Sequence, residues 1–332
     1  MRNSPAARTL LTAPQLDLVR ASSDVRGVWL VAHAWLVIGG AGALFSYFPN
    51  IATYLLAVML IGSRQLGLLI LMHDGAHGVL CRTAWLNRAL SQFACAFPTL
   101  SDTDVYRRYH LPHHVRTQRE DDPDLVLTGH YPITRASLRR KLWRDISGQT
   151  GVSQRKAQFL QACGNSAWSL TKRVAHYRRE FGAQTAAQLV LALACFAAGQ
   201  GWLYLALWVV PLLTWQQLVL RVRNIAEHAV VRAAEDPFGN ARTTLVNLVE
   251  RIFVAPYWVN YHLEHHLMMW VPCYRLATLR RFLDENGHSA KIETERGYLA
   301  VLRKVTIDGP ESDRGTSRKR ASGTFASGFE PR

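Results

Sequence analysis

The chain has 332 residues, of which 49% are hydrophobic, and a formal net charge of +15 at pH 7. The mean hydropathy of −0.02 averages apolar and basic stretches, so composition alone excludes neither a soluble nor a membrane protein. No motif for binding RNA or DNA accompanies the positive charge, and anionic lipid head groups explain it more simply than nucleic acid does.

Two long stretches carry no Asp, Glu, Lys or Arg: Gly27 to Ser63 and Phe181 to Leu220. A membrane-spanning helix needs about 20 apolar residues, so each stretch can hold two spans joined by a turn. Turn residues lie near the middle of both, at Phe48-Pro49-Asn50 and Gly199-Gln200-Gly201. The sequence therefore predicts an all-α integral membrane protein of two helical hairpins. Its predicted spans cover about residues 28–48, 51–72, 184–198 and 202–220.

Basic residues are absent from both predicted turns and frequent in the other polar segments. By the positive-inside rule, both termini and the large polar segments lie on the cytoplasmic side, and we expect a bacterial inner membrane protein. The predicted layout is a cytoplasmic arm over 1–27, a membrane domain over 28–305 with a helical cytoplasmic cap, and a disordered tail over 306–332. Within the cap, residues 83–100 are too few and too polar to span, which predicts an interfacial or packed helix.

Nine of the 13 histidines fall into four short groups, all in or next to the polar segments. They are His73 and His77 in HDGAH, His110, His113 and His114 in HLPHH, His228 in NIAEH, and His262, His265 and His266 in HLEHH. Helix positions i, i+3 and i+4 share a face, so the three histidines of HLEHH can converge on one point, as can the pair in HDGAH. In HLPHH, we expect Pro112 to start a helix or to leave the box partly irregular.

The four groups lie at the cytoplasmic ends of the predicted spans, where they can meet at one membrane face. Neutral imidazole is a good ligand for first-row transition metals, and about eight to ten nitrogens are too many for one ion. The pattern therefore predicts two metals, and ligands that are all nitrogen favour redox-active iron over zinc, magnesium or calcium. The neighbouring acids Asp74, Glu227 and Glu264 either orient imidazoles or are simply solvated.

A few residues outside the histidine boxes are also informative. His33 is expected to be a hydrogen-bonded helix residue, and the run Asp121 to Asp124 a turn that fixes the second box. Arg64 is expensive to bury in a span, so it meets a phosphate or carboxylate or extends to the interface. Four tryptophans either line a substrate channel or anchor the protein at the membrane interface, namely Trp168, Trp215, Trp258 and Trp270.

The three boxes HDGAH, HLPHH and HLEHH, placed after or between apolar hairpins, resemble the integral-membrane fatty acid desaturase superfamily, which also includes hydroxylases and ketolases. The likeness extends to YRRYHLPHHVRTQREDDPDL, to RNIAEH with the following DPFGNARTT, and to PYWVNYHLEHHLMMWVPCYRL, over roughly residues 28–283. The resemblance implies four spans with a cytoplasmic cap, a di-iron centre, and oxygen-dependent introduction of a double bond into a lipid acyl chain, as in acyl-lipid desaturases.

The resemblance also implies the metal ligands: the nine histidines of the boxes, with Asn224 acting through water. No catalytic residue is expected beyond these ligands. The cytochrome b5 haem motif HPGG does not occur in the sequence, so a separate donor such as a ferredoxin or a cytochrome b5-type protein is expected to supply electrons. Other functions stay open, namely a lipid hydroxylase, a carotenoid ketolase or hydroxylase, and a non-enzymatic membrane protein that binds metal.

Overall fold

The computed structural model describes residues 5–232 and 236–308. Within these residues the secondary structure is almost entirely helical. The α-helices are α1 (Pro5–Leu10), α2 (Ala13–Arg20), α3 (Asp24–Tyr47), α4 (Ile51–His77), α5 (Ala84–Ala89), α6 (Thr103–Arg116), α7 (Leu125–Thr128), α8 (Arg135–Ile146), α9 (Gln149–Ala162), α10 (Leu170–Ala197), α11 (Val210–Leu213), α12 (Trp215–His228), α13 (Leu248–Phe253), α14 (His262–Leu267), α15 (Leu276–Glu285) and α16 (Tyr298–Lys304). The strands are β1 (Ile133–Thr134), β2 (Thr243–Leu245), β3 (Thr294–Arg296) and β4 (Thr306–Ile307).

Four helices are long and apolar enough to cross a membrane: α3, α4, α10 and the helical segment Tyr204–His228, which ends with α11 and α12. The predicted all-α membrane fold with four spans is thus confirmed. The helix that contains the third predicted span begins earlier than that span, at Leu170, and has 28 residues. No proline or glycine ends the helix within its basic first half, so it continues beyond the apolar stretch.

The fourth span is irregular around Pro211. A π-helical segment covers Tyr204–Val209, just before Pro211, and Thr214 has non-helical φ and ψ values of −118° and −88°. Proline has no backbone N–H for the hydrogen bond of a regular helix. A π-helical segment accommodates the missing bond. Beyond this break, α12 continues past the predicted end of the span and carries His228 at its last position.

Helix α4 forms the centre of the bundle and is buried along most of its second half. It packs against α3, α6 and α12 and against a π-helical segment, Leu90–Ala96, that follows α5. Helix α4 and this segment can approach closely because Gly75 has no Cβ. A Cβ at Gly75 would overlap the side chain of Ser91. The segment 83–100 is therefore a packed element, with Cys95 and Ala96 buried, and it supports the end of α4 where the first box lies.

The second histidine box differs from its prediction, because α6 runs without a break from Thr103 to Arg116 with Pro112 inside it. The proline lies within the last turn and a half, so only the carbonyl of Arg108 loses its helical partner. Packing of α6 against α4 outweighs that loss. The continuous helix places His110, His113 and His114 on successive turns with regular spacing.

Short parallel strand pairs connect the cap to the C-terminal region. Strand β1 pairs with β4 through Ile133 and Thr306, and β2 pairs with β3 through Thr243 and Thr294. Strand β4 takes in the first residues of the predicted tail, and residues 309–332 lie outside the described part of the chain. At the other end, α2 packs against α15, where Asn286 donates to the carbonyl of Leu10.

Candidate metal centre

The nine histidines of the boxes form two groups, each with its ligand atoms within 4.8 Å of one another. The first group takes histidines from α4, α6 and α14, and the second from α6, α12 and α14. The first consists of His73, His77, His110, His114 and His265, and the second of His113, His228, His262 and His266. The structure thus brings together residues that are almost 200 positions apart in the sequence.

Each HxxHH box is divided between the two groups. His110 and His114, four residues apart, belong to the first group, whereas His113 belongs to the second. In the third box the i and i+4 pair, His262 and His266, belongs to the second group, and His265 belongs to the first. The expectation that the three histidines of HLEHH converge on one point is therefore wrong. Around a helix, position i+4 lies about 40° to one side of position i and position i+3 about 60° to the other side, so the i+3 side chain can point to a different group.

Within both groups, imidazole nitrogens face each other at short distances. The Nε2 atom of His114 lies 2.9 Å from that of His110 and 3.0 Å from that of His265. In the second group, the Nε2 of His228 lies 2.8 Å from that of His262 and 3.2 Å from that of His113. With metal–nitrogen bonds of about 2.1 Å, adjacent ligands at a right angle lie about 3 Å apart. These separations therefore suit ligands that share a metal ion.

Unsatisfied buried nitrogens point to the same conclusion. The Nε2 atoms of His73 and His77 are buried and have no hydrogen-bond partner among the described residues. Leaving a buried polar atom unpaired costs about 1–3 kcal/mol, so such atoms in a native cluster usually have a ligand. Both groups thus fit metal ions that accept imidazole nitrogen.

Burial also keeps the imidazoles in the form that binds metals. It lowers the pKa of five of these histidines, outside the spanning helices, well below the ordinary value, and neighbouring histidines add to the effect. The five are His110, His114, His262, His265 and His266. Because the lowered pKa disfavours protonation, these imidazoles are neutral at pH 7 with a lone pair available to a metal.

In the second group, Nδ1 of three of the four imidazoles faces a carboxylate or carbonyl oxygen. Nδ1 of His113 lies 2.7 Å from Oδ1 of Asp122, and Nδ1 of His262 lies 3.3 Å from Oε1 of Glu227. Nδ1 of His228 lies 3.3 Å from the carbonyl oxygen of Asn240. A proton on Nδ1 can be donated to these oxygens, which leaves the Nε2 lone pairs directed into the group.

Asp122 was expected only as part of a turn, and it also orients a histidine. Its carboxylate accepts from the backbone N–H groups of Gln118 and Asp124 at 2.8 and 2.9 Å, which makes the predicted turn. Burial alone would raise the pKa of Asp122, but hydrogen bonds from His113 and from these N–H groups outweigh it and lower the pKa. The ionised carboxylate faces His113 because the turn follows α6 directly. The spacing of these residues in the sequence does not predict this contact.

The three acids next to the histidine boxes, Asp74, Glu227 and Glu264, have different partners. Oε1 of Glu227 lies 3.3 Å from Nδ1 of His262 and accepts a hydrogen bond from Nε of Arg223 at 2.6 Å. Oδ1 of Asp74 is 3.7 Å from Nδ1 of His73, too far for a hydrogen bond, and its other oxygen accepts from the backbone N–H of Cys273. The fully buried Glu264 accepts from the Thr243 hydroxyl and from Nη1 of Arg280 at 3.2 Å, so it joins α14 to β2 and α15.

Asn224 lies one turn before His228 on α12. It lines a small cavity of about 170 Å³ together with His110, His113 and His228. A water molecule in such a cavity is within reach of both the amide and the imidazoles, so the position suits the ligand role that the resemblance implies.

A much larger cavity, of about 1640 Å³, opens onto both histidine groups through His73, His262 and His265. Of the four tryptophans considered above, Trp168 lines it. Tyr257 also lines the cavity, and its hydroxyl lies 3.0 Å from Nδ1 of His33, which is a hydrogen-bonded helix residue as expected. The guanidinium of Arg64 lies over the Tyr257 ring and donates to the Ile252 carbonyl, and no carboxylate among the described residues forms an ion pair with it.

An Asp122→Asn variant is expected to bind metal in the second group about 10- to 100-fold more weakly. Asparagine keeps the size of the side chain but removes the charge that stabilises the Nδ1–H form of His113. Metal retention against increasing concentrations of chelator measures the effect. The control is Asp121→Asn, whose side chain is 64% exposed and pairs with Arg116. Equal metal retention by the two variants would show that Asp122 has no orienting role.

Two comparisons with known proteins agree with this geometry. The family model described as fatty acid desaturase matches residues 49–293, which include all nine clustered histidines. The chain is also 27% identical over 291 residues to the dihydrorhizobitoxine desaturase of Bradyrhizobium elkanii, an alignment that covers 84% of this chain and 81% of the relative. Four apolar helices fit an integral membrane protein, and the histidine groups fit the metal that such enzymes use. The chain belongs to the fatty acid desaturase family.

Proposed function

We propose that this chain is a di-iron, oxygen-dependent desaturase that introduces a double bond into a lipid acyl chain. The observation that carries the proposal is the pair of histidine groups, which share two boxes and open onto one large cavity. Two metal ions at adjacent sites suit a reaction that must activate dioxygen and remove two hydrogens. The ten proposed ligands are His73, His77, His110, His113, His114, Asn224, His228, His262, His265 and His266.

Bound iron would supply the activation of dioxygen, and the balanced reaction converts O2, two protons, two electrons and a CH2–CH2 unit into a CH=CH unit and two water molecules. The chain's own residues provide geometry and exclusion of water. Asp122 holds His113 in the Nδ1–H form through a hydrogen bond, and the negative charge of Glu227, 3.3 Å from Nδ1 of His262, favours the same form there. The cavity wall beside the histidines includes Leu69, Ile70 and Val259, which keep bulk water from the substrate carbons.

The electrons are proposed to come from a separate donor, either a ferredoxin or a cytochrome b5-type protein. The basic residues of the polar segments favour docking of an acidic partner. With these segments on the cytoplasmic side of a bacterial inner membrane, the histidine groups lie near the membrane surface that a soluble donor can reach. The chain is thus proposed to act on lipid and dioxygen at the cytoplasmic face.

The chemistry of the product separates this proposal from its alternatives. A lipid hydroxylase or a carotenoid ketolase or hydroxylase would use the same two groups and insert oxygen instead of removing hydrogen. The curated relative is named for dihydrorhizobitoxine rather than for a fatty acid, so the substrate is best sought among several classes of molecule. A protein that only binds metal would give no product at all.

The test is expression in a host that lacks the relevant unsaturated lipids, followed by profiling of fatty acids, sphingolipids, pigments and small polar metabolites. We expect a new double bond in one class when the natural donor system is supplied. The His265→Ala variant should form no product, and His288→Ala, outside both groups, should behave as wild type. A hydroxylated or keto product without a new double bond would overturn desaturation.

A further inference from the structure

The large cavity has two chemically different ends. Near the histidine groups the wall is mostly apolar or aromatic, with Leu69, Ile70, Met72, Tyr257 and Val259, and its charged members are Asp74 and the ion-paired Arg223. The part of the wall that comes from α9 and from the first half of α10 contains many polar side chains, among them Gln154, Arg155, Gln158, His176 and Arg179. Leu160 of α9 also lines the cavity and is 56% exposed, so the cavity reaches solvent beside α9, and this opening is its mouth. A ligand that fills the cavity must then be apolar towards the histidines and polar towards the mouth.

The arginines of the wall differ in how their charge is balanced. Arg179 forms an ion pair with Glu180 at 2.7 Å, and Arg223 with Glu227 at 2.6 Å. Arg108 is exposed to solvent. No carboxylate among the described residues pairs with Arg155, the fourth of these arginines. Two of the four charges are therefore neutralised within the protein, a third is exposed, and Arg155 is only partly exposed and has no carboxylate partner among the described residues.

The surroundings of Arg155 show a donor that lacks an acceptor. Its Nε is buried and has no hydrogen-bond partner among the described residues. Nη1 donates to Oε1 of Gln158 at 2.7 Å, and Nε2 of Gln158 donates to the carbonyl of Leu100 at 2.7 Å. Gln158 is thus fixed at both ends of its amide and holds the guanidinium in place. Burial lowers the pKa of Arg155 to about 10, so the side chain remains charged at neutral pH.

We infer that Arg155 binds an acidic group of the substrate, a carboxylate or a phosphate, at the polar end of the cavity. A guanidinium held by Gln158 presents a planar set of donors that matches such a group. The apolar part of the same molecule then extends towards the two histidine groups, where the reacting carbons lie. This inference rests on the proposed function, because it assigns the substrate class of that same site.

The acidic group has two possible sources, the head group of an anionic lipid or a free acid in solution. Both present an oxyanion to Arg155, and the cavity accepts either because its mouth is open. The inference predicts that affinity depends on the charge of the ligand and on Arg155 together. A structural role for Arg155 would instead affect charged and neutral ligands alike.

The test is equilibrium dialysis of labelled dodecanoate and 1-dodecanol with the metal-loaded full chain in phosphatidylcholine nanodiscs, after subtraction of empty nanodiscs. Wild type should bind the acid more tightly than the alcohol. Arg155→Gln should weaken binding of the acid on the order of tenfold to a hundredfold and leave the alcohol unchanged. Arg155→Lys should restore part of the loss. The control Lys156→Gln makes the same charge change on an exposed residue of α9 that does not line the cavity.

Nanodiscs that contain phosphatidylglycerol distinguish the two sources. Displacement of dodecanoate from wild type by this lipid would assign the acidic group to a lipid head, and undiminished binding would assign it to a free acid. The ligand-free Arg155→Gln variant should melt no lower than wild type, because it loses a buried charge that has no counter-ion. If no probe loses more affinity with Arg155→Gln than with Lys156→Gln, Arg155 is not an acid-binding residue.

Dialysis requires no turnover, so this result is independent of the proposed reaction. Charge-dependent binding through Arg155 in a protein that forms no double bond would contradict the proposed function alone. Formation of a double bond without charge-dependent binding would contradict the role of Arg155 alone.

Discussion

A His228→Ala variant is expected to retain about one of two irons per chain and to lose desaturation. His228 belongs only to the second histidine group, where its Nε2 lies 2.8 Å from that of His262. Alanine removes one of the four imidazoles of that group and leaves the five of the first group intact. His77→Ala is the complementary change, because His77 belongs only to the first group. Iron per chain, measured after purification without oxygen, reports on each group separately.

The combined His77→Ala and His228→Ala variant should contain almost no iron, since both groups are then incomplete. His288→Ala is the matched control, because His288 stacks on Phe238 outside both groups. Full iron content in His228→Ala would exclude that residue as a ligand. Loss of both irons from either single variant would show that the two groups bind metal as one unit rather than as separate sites.

A Glu264→Ala variant is expected to lower the free energy of unfolding by about 3 kcal/mol, at the low end for a broken buried ion pair. Glu264 is fully buried, and its carboxylate holds both the Thr243 hydroxyl and Nη1 of Arg280. Its loss leaves the partly buried guanidinium with the Thr294 hydroxyl and with one carboxylate among the described residues, that of Asp284, which lies 3.0 Å from its Nε. Unfolding by denaturant in detergent, with metal-loaded and metal-free protein, measures the change.

The control for this prediction uses the other acid that pairs with the same arginine. The side chain of Asp284 is 39% exposed, so Asp284→Ala should lower the free energy of unfolding by no more than about 0.5 kcal/mol. A metal-bound Glu264 would lead to another pattern, in which Glu264→Ala loses iron but melts normally once metal is removed. That pattern would add Glu264 to the set of candidate metal ligands.

The two predictions separate the roles of neighbouring residues in HLEHH. His262, His265 and His266 direct nitrogens into the groups, whereas the glutamate among them points into the protein and joins α14 to β2 and α15. The short helix α14 has six residues, too few to be stable alone, and this buried contact holds it in place. One box therefore contains both the candidate ligands and the group that positions them.

Residue order alone determined the class of this protein. Charge-free stretches long enough for two spans each, turn residues at their centres and histidines at helical spacing are local properties that need no tertiary contacts to be recognised. They predicted the four spans and all nine clustered histidines. The same local reasoning was wrong about Pro112, because packing of α6 against α4 outweighs the loss of one helical hydrogen bond.

Only the tertiary structure decided how the nine histidines are divided between the two groups and which residues surround them. The division of each HxxHH box between two groups depends on how α4, α6, α12 and α14 are placed around one another, and periodicity fixes the face of a helix but not its neighbours. Asp122 reaches His113 through a turn, and Arg155 lines the same cavity as His265 although they lie far apart in sequence. Such contacts join segments that are distant in the sequence and depend on burial and charge. The spacing of residues within one segment therefore cannot predict them.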